Sequence, residues 1–263
     1  ANSVVVIDEL QSYNPLLWDK MYYLIEHYAR LFQLRFILMS ATLPKIGKLH
    51  IPLKEKTGFV DLLPRAKSYM QNPNFAQRVE FRFDLFQEET EIGRLADFVL
   101  EKSEEYRQRN TTNGTVHTII EFIYKKSASE FYAWLQEREM FFDEVLILSG
   151  TILEPRRREI INYLKNPMSR EKNILLITTQ VVEAGVDIDM DLGFKNISLI
   201  DSDEQLAGRV NRNAWKIGCE VYLFRLDEAC VLYGRDKRYQ IVREQITAEE
   251  YKRILREKDF GRL

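Results

Sequence analysis

The sequence predicts an α/β protein built on parallel sheets, and three observations carry that expectation. Short apolar, β-branched runs such as Val4–Ile7 and Ile174–Thr178 read as strands buried on both faces. Segments of helical period alternate with these runs. Acidic and hydroxyl residues follow several of the strands directly, where open α/β sheets carry their ligand chemistry. The alternation occurs twice, with a junction near Gln87–Gly93, so two parallel-sheet units are expected.

Val4–Ile7 opens the chain as a strand without a leader, which reads as a cut through a fold. Asn14-Pro15 offers an N-cap and an N1 proline. Leu16, Leu17, Met21, Leu24, Ile25, Tyr28, Leu31 and Phe32 then recur at helical spacing. Phe36–Met39 is the next strand and ends in Ser40-Ala41-Thr42. The pattern blurs from Pro44 to Glu88, where Val79–Phe83 reads as a strand. A helix is expected over Glu91–Arg107, with Ile92, Leu95, Phe98 and Val99 on one face, and a turn over Thr111–Gly114. The second run follows: strand Val116–Tyr124, a helix from Ser127 with a capping box to Glu130, and strand Val145–Leu148. A helix opened by Pro155, strands Ile174–Thr178 and Ile197–Ile200, a helix through Gln205–Arg212 and strand Cys219–Phe224 complete it. The tail after Arg225 is charged and partly helical in pattern.

Length and charge bound the function. The 263 residues fit one large domain or two modest ones, at roughly 150 residues each. Thirty-eight basic against 40 acidic residues exclude a simple polycation, so nucleic-acid binding would need a local basic patch. No apolar run approaches the ~18 residues of a membrane span, and Ala1–Glu9 lacks the pattern of a signal peptide. The 2 cysteines, Cys219 and Cys230, make no disulfide framework, which favours a reducing cytoplasm. His27, His50 and His117 are scattered and no CxxC pair occurs, which argues against zinc.

Four segments carry candidate chemistry. Asp8-Glu9 reads either as a turn-forming acidic pair or as carboxylates for a Mg²⁺–nucleotide, since Mg²⁺ takes few carboxylates plus phosphate oxygens and waters. Ser40-Ala41-Thr42 is weak alone, because small hydroxyl residues often end strands. In Thr179–Asp189 a hydroxyl, a glycine (Gly185) and an acid (Asp187) follow a buried strand; the loop suits phosphate and ribose, and Asp187 reads equally as a turn acid. Gln205, Arg209 and Arg212 fall at i, i+4 and i+7, which would place them on one helical face. That face is either solvated or a set of guanidinium forks aimed at a γ-phosphate. Gly208 within it costs about 1 kcal/mol relative to alanine, which suggests close approach of a neighbour.

Taken together, DELQ (8–11), SAT (40–42), TTQVVEAGVDID (178–189) and QLAGRVNR (205–212) resemble motifs II, III, V and VI of superfamily 2 helicases. With VVVIDELQSYNP, SATLP and LSGTILEPRRR (148–158), the resemblance narrows to the CRISPR-associated helicase–nuclease of type I systems, over roughly Val4–Phe224. It implies two RecA-like lobes, the first incomplete: residues 1–90 for the back of lobe one, 91–225 for lobe two and 226–263 as a tail or linker. ATP would lie between the lobes and single-stranded DNA across both.

The same resemblance assigns Asp8 and Glu9 to Mg²⁺ and water activation, and Ser40 and Thr42 to coupling nucleotide state with lobe movement. It places Asp187 and Gly185 near the nucleotide, and Gln205, Arg209 and Arg212 against the triphosphate, with Arg212 as the arginine finger. Thr179 would meet a DNA phosphate. Arg156, Arg157 and Arg158 would reach the DNA backbone, with a solvated helix face as the alternative. An RNA-guided CRISPR surveillance complex is the implied partner, with no membrane. The sequence departs from the pattern in lacking GxxxxGK(S/T) and any His-Asp nuclease dipeptide, in Ile123-Tyr124 where Asn-Thr is usual, and in Leu206 where Arg is frequent. An isolated, inactive fragment of the helicase core is therefore expected. Another superfamily 2 motor, or a non-catalytic nucleic-acid-binding module descended from one, are the alternatives.

Overall fold

Two short apolar runs separated by one amphipathic segment form the first unit. In the computed structural model, which describes residues 2–40, 60–65, 68–69, 71–110, 114–137, 141–182 and 185–260, strands β1 (Val4–Ile7) and β2 (Arg35–Leu38) pair in parallel from Val4↔Arg35 to Ile7↔Leu38. Helix α1 (Trp18–Phe32) connects them. It starts later than Asn14-Pro15 suggested: Asn14 Oδ1 accepts from the Leu16 N–H at 3.0 Å and so caps a short 3₁₀ turn, Pro15–Leu17. Its apolar positions are not one buried face. Tyr22 and Glu26 are buried, whereas among the described residues nothing covers Leu24, Tyr28, Leu31 and Phe32, which are exposed. Thr42 lies outside the described residues.

The second unit is a six-stranded, all-parallel sheet in the order β3-β8-β7-β4-β6-β5. Its strands are β3 (Glu80–Glu89), β4 (His117–Glu121), β5 (Glu144–Leu148), β6 (Ile174–Thr178), β7 (Leu192–Asn196) and β8 (Glu220–Arg225). The accompanying helices are α2 (Ile92–Arg109), α3 (Lys125–Gln136), α4 (Glu154–Lys165), α5 (Ile200–Ala207), α6 (Ala229–Tyr233), α7 (Lys237–Gln245) and α8 (Ala248–Glu257). The core lies on the central strands, where Ile119, Ile120, Leu175, Leu176, Phe194 and Leu223 are fully buried.

Four local expectations are corrected. β3 hydrogen-bonds to β8 in the second sheet, so that sheet begins at Glu80 and not after the junction near Gln87–Gly93. β7 is Leu192–Asn196, five residues before the expected Ile197–Ile200. Gly193, Lys195 and Asn196 disguised it; Lys195 is buried there because its ammonium pairs with Glu121 on neighbouring β4. Ser127 makes no capping box with Glu130. Its hydroxyl donates instead to Asp227, which also accepts from the Ile123 and Tyr124 N–H groups at 3.0 and 2.9 Å. The tail carries the partial helix its pattern predicts: α8, opened by a Thr247–Glu250 capping box, buries Tyr251, Ile254 and Leu255 and sets Tyr251 5.5 Å from the Phe86 ring. Finally, α5 stops at Ala207 and does not continue through Arg212.

Candidate functional site

The C-terminal ends of β1 and β2 bring the acidic pair beside Ser40. Asp8 is exposed and accepts from the Glu9 N–H at 2.8 Å. Glu9 has φ 53°, left-handed and therefore strained for a non-glycine residue. Gln11, 3% exposed, binds both motifs: its amide donates to Glu9, and its carbonyl oxygen accepts from the Ser40 hydroxyl. The Leu10 N–H reaches Met39 O at 3.2 Å across the strand ends. Gln11 was missed in the sequence, since nothing in a polar run after an acidic pair distinguishes the residue that is buried.

The end of α5 faces this pair. The expected helical face of Gln205, Arg209 and Arg212 does not form, because Gly208 caps the helix and the chain turns back onto the sheet, bridging Val210 to Met190. A Cβ at Gly208 would stand 3.0 Å from Gln205 O, so crowding in the helix's own last turn accounts for the glycine. Gln205 stays half-buried in that turn. Arg209 is 8% exposed and donates through Nε to Val182 O at 2.9 Å. Burial lowers its pKa most and neighbouring Arg212 adds to that, while Glu9 across the interface and Asp187 oppose it. Arg212 ion-pairs through Nε with Asp187 Oδ1 at 2.8 Å, and its backbone N–H reaches Asp189 Oδ1 at 2.9 Å.

Asp187 also accepts from Lys165 Nζ at 2.8 Å, which with Arg212 holds its carboxyl below the ordinary range. Gly185 has φ +69° and open space where a side chain would stand. A third guanidinium, Arg78, donates to Ala207 O at 3.3 Å and lies in the field of Arg212. It sits in the segment the sequence left unread, so no signal marked it. The arrangement gathers three guanidiniums at the end of α5, with Arg209 in the field of Glu9 of the first unit. Such forks suit a polyanion.

The segment Thr179–Asp191, in which the described residues form no α-helix, joins this region to the C-terminal end of β6. Thr179 there is 3% exposed and its N–H reaches Leu148 O at 3.4 Å. Of the three arginines on α4, Arg157 turns inward and donates to Val181 O at 2.9 Å. Arg156 and Arg158 face solvent, with side chains 63% and 74% exposed and paired to Glu159 and Glu154. Beside them, Ser149 and Thr151 form an exposed hydroxyl turn.

Among the described residues no group of three His, Cys, Asp or Glu could hold a metal ion. A cation held by Asp8 and Glu9 would therefore depend on ligand oxygens, as Mg²⁺ bound with phosphate does.

Two all-parallel sheets, with charged loops at the ends of their strands, make this a RecA-like α/β fold. Residues 115–214 match the family model described as the C-terminal region of the CRISPR-associated nuclease/helicase Cas3. The chain is 26% identical over 212 residues to the CRISPR-associated nuclease/helicase Cas3 of Methanothermobacter thermautotrophicus, covering 80% of this chain and 24% of that protein. The crystal structure of T. fusca Cas3-ADP superposes with TM-score 0.60 at 15% identity, over 96% of this chain and 34% of that one. A chain of a CRISPR RNA-guided surveillance complex, pre-nicking, superposes with TM-score 0.62 at 15% identity, over 98% and 37%. The chain is thus similar to the helicase core of the Cas3 family. It spans about a quarter of the curated relative's length.

Proposed function

We propose that this chain is part of the ATP-hydrolysing core of a type I CRISPR helicase that moves along single-stranded DNA. The observation that carries the reading is that Arg209, on the second unit, lies in the field of Glu9 at the end of β1, with Arg212 beside Arg209 and paired to Asp187. Residues before about Glu80 form one RecA-like lobe and those after it the second, and ATP binds between them. Glu9 orients the attacking water; as its oxygen bonds to the γ-phosphorus, the bond to the β-phosphate oxygen breaks. Arg212 leaves Asp187 and sets its fork against the charge that grows on the γ-phosphoryl oxygens. Arg209 and Gln205 line the same side, with Asp187 and Gly185 toward the ribose. Asp8 and Glu9 offer the carboxylates that Mg²⁺ takes beside phosphate, and Mg²⁺ bound there would neutralise charge on the β and γ oxygens.

Ser40 and Thr42 transmit the nucleotide state to the lobes, Ser40 through Gln11. DNA runs over the β6 end near Thr179 and the exposed Arg156 and Arg158; buried Thr179 reaches a phosphate only after its loop shifts, and Arg157 supports that loop. The likeness to a CRISPR RNA-guided surveillance complex supports an RNA-guided partner, and antiviral defence in the cytoplasm is the role proposed with it. Among the described residues no helix is long and apolar enough to cross a membrane. Because no GxxxxGK(S/T) occurs in these 263 residues, hydrolysis belongs to a polypeptide that also supplies a phosphate loop, and the chain alone is inactive.

The test is Arg212→Lys in that polypeptide. Lysine keeps the charge and loses the fork, so DNA-stimulated hydrolysis should fall by about 10³ or more, with the melting temperature almost unchanged because the ion pair is exposed. Near-normal turnover would reduce the Arg212–Asp187 contact to a solvated ion pair.

A further inference from the structure

Arg238, at the start of α7, lies outside every motif so far discussed, yet it touches both units. Its Nη1 donates to the backbone carbonyl of Gln11 at 2.9 Å and to Asp201 Oδ2 at 2.8 Å. Nη2 and Nε grip the two oxygens of Asp236 at 2.8 and 3.1 Å. Each partner has a place in the proposed site. Gln11 holds Glu9 and Ser40 through its side chain. Asp201, 8% exposed, stands in the first turn of α5, the helix that delivers Arg209 and Arg212. Asp236 is the N-cap of α7 and fixes the arginine's own backbone at 2.9 Å.

We infer that Arg238 is a positioning residue, a latch that holds the Glu9–Gln11 segment of the first unit against the arginine-bearing helix of the second. The division of its bonds suits a latch that opens. Two carboxylates keep the guanidinium on the second unit whatever the first does. One hydrogen bond to a neutral carbonyl crosses between the units, and it can be made and broken without stranding a charge. The planar fork is what allows the contacts at once; an ammonium cannot grip Asp236 with two nitrogens while reaching Asp201 and Gln11.

The latch rests on contacts alone, whereas its service to hydrolysis rests on the proposed function, so the two are tested separately. For the latch, spin labels are placed on this chain at exposed Lys20→Cys in α1 and Arg94→Cys in α2, in a Cys230→Ser background. Cys219 stays unlabelled because burial pushes its thiol up to about 11. Electron–electron double resonance should give one narrow distance distribution for the parent. A charged hydrogen bond lost between the units weakens the closed state about tenfold or more, so Arg238→Ala and Asp201→Asn should broaden the distribution toward longer separations, and Arg238→Lys should lie between. An Arg238→Ala distribution identical to the parent's would overturn the latch, as would a parent already broad. In the intact polypeptide, Arg238→Ala should lower kcat for DNA-stimulated hydrolysis about tenfold with KM for ATP little changed, because Arg238 does not touch the nucleotide. A broadened distribution with unchanged kcat would keep the latch and refute its role in the reaction.

Discussion

Asp191, 2% exposed at the head of β7, takes Arg170 Nη1 at 2.9 Å, Lys216 Nζ at 2.7 Å and the His117 N–H at 2.7 Å. Its carboxyl is held below the ordinary range: burial opposes ionisation, and the two cations with these hydrogen bonds outweigh it. Asp191→Ala would take from Arg170 its carboxylate and leave Lys216 with Asp189 as its remaining carboxylate, at a cost of about 3–5 kcal/mol. Thermal unfolding should then fall by roughly 6–20 °C. Neighbouring His117 gives a separate pH signature. Burial lowers its pKa from 6.5 to about 4, so over that interval the unfolded chain binds a proton the folded chain refuses. Stability is therefore complete above about pH 6.5 and declines as pH falls toward 4, by up to about 3 kcal/mol. His117→Gln should flatten that part of the urea-midpoint profile; an equally steep decline would place the titrating group elsewhere.

Among the elements, β7 explains how the arginine turn lies so close to the sheet. A Cβ at Gly193 would meet Val210 and Val221 side chains at 3.0 Å each, and Val210 directly follows Arg209. Gly193→Ala should cost about 1–3 kcal/mol in urea unfolding. By lifting Val210 it should also lower hydrolysis by the intact polypeptide more than Gly93→Ala, which meets only the edge of Trp134 at 3.3 Å. The same strand marks where sequence reading fails. β1, β2, β5 and β6 were legible because they are unbroken apolar runs. β7 was not, because its glycine and buried lysine look like a loop until Glu121 is seen opposite Lys195. The geometry of the arginines was not legible. Their spacing fits a helix, but the turn after Gly208 is fixed by the bridge to Met190, a contact 20 residues away in sequence.

For the whole molecule, net charge −2 leaves DNA binding to a few exposed cations. Affinity for single strands should be weak, independent of sequence and steep in salt, with a slope of about −0.7 per phosphate neutralised. Arg156→Ala with Arg158→Ala should flatten the plot of log affinity against log salt by about 1.4 in fluorescence anisotropy. Arg157→Ala should act differently, by loosening the Val181 loop. An unchanged slope in the double variant would make the outer face of α4 a solvated surface.

The crossover from Thr179 to Asp191 has a consequence for how the two ligands feel each other. Along its length it is gripped by Arg157 at Val181 O, by Arg209 at Val182 O, and by Arg212 at Asp187 and Asp189. This strip of backbone is thus held both by Arg209 and Arg212, proposed to serve the nucleotide, and by Arg157, beside the proposed DNA path. Wyman linkage then fixes a symmetry that no choice of mechanism can avoid: whatever factor ATP adds to the affinity for DNA, DNA must add to the affinity for ATP. A substitution that cuts the strip free of Arg209 should shrink both factors together.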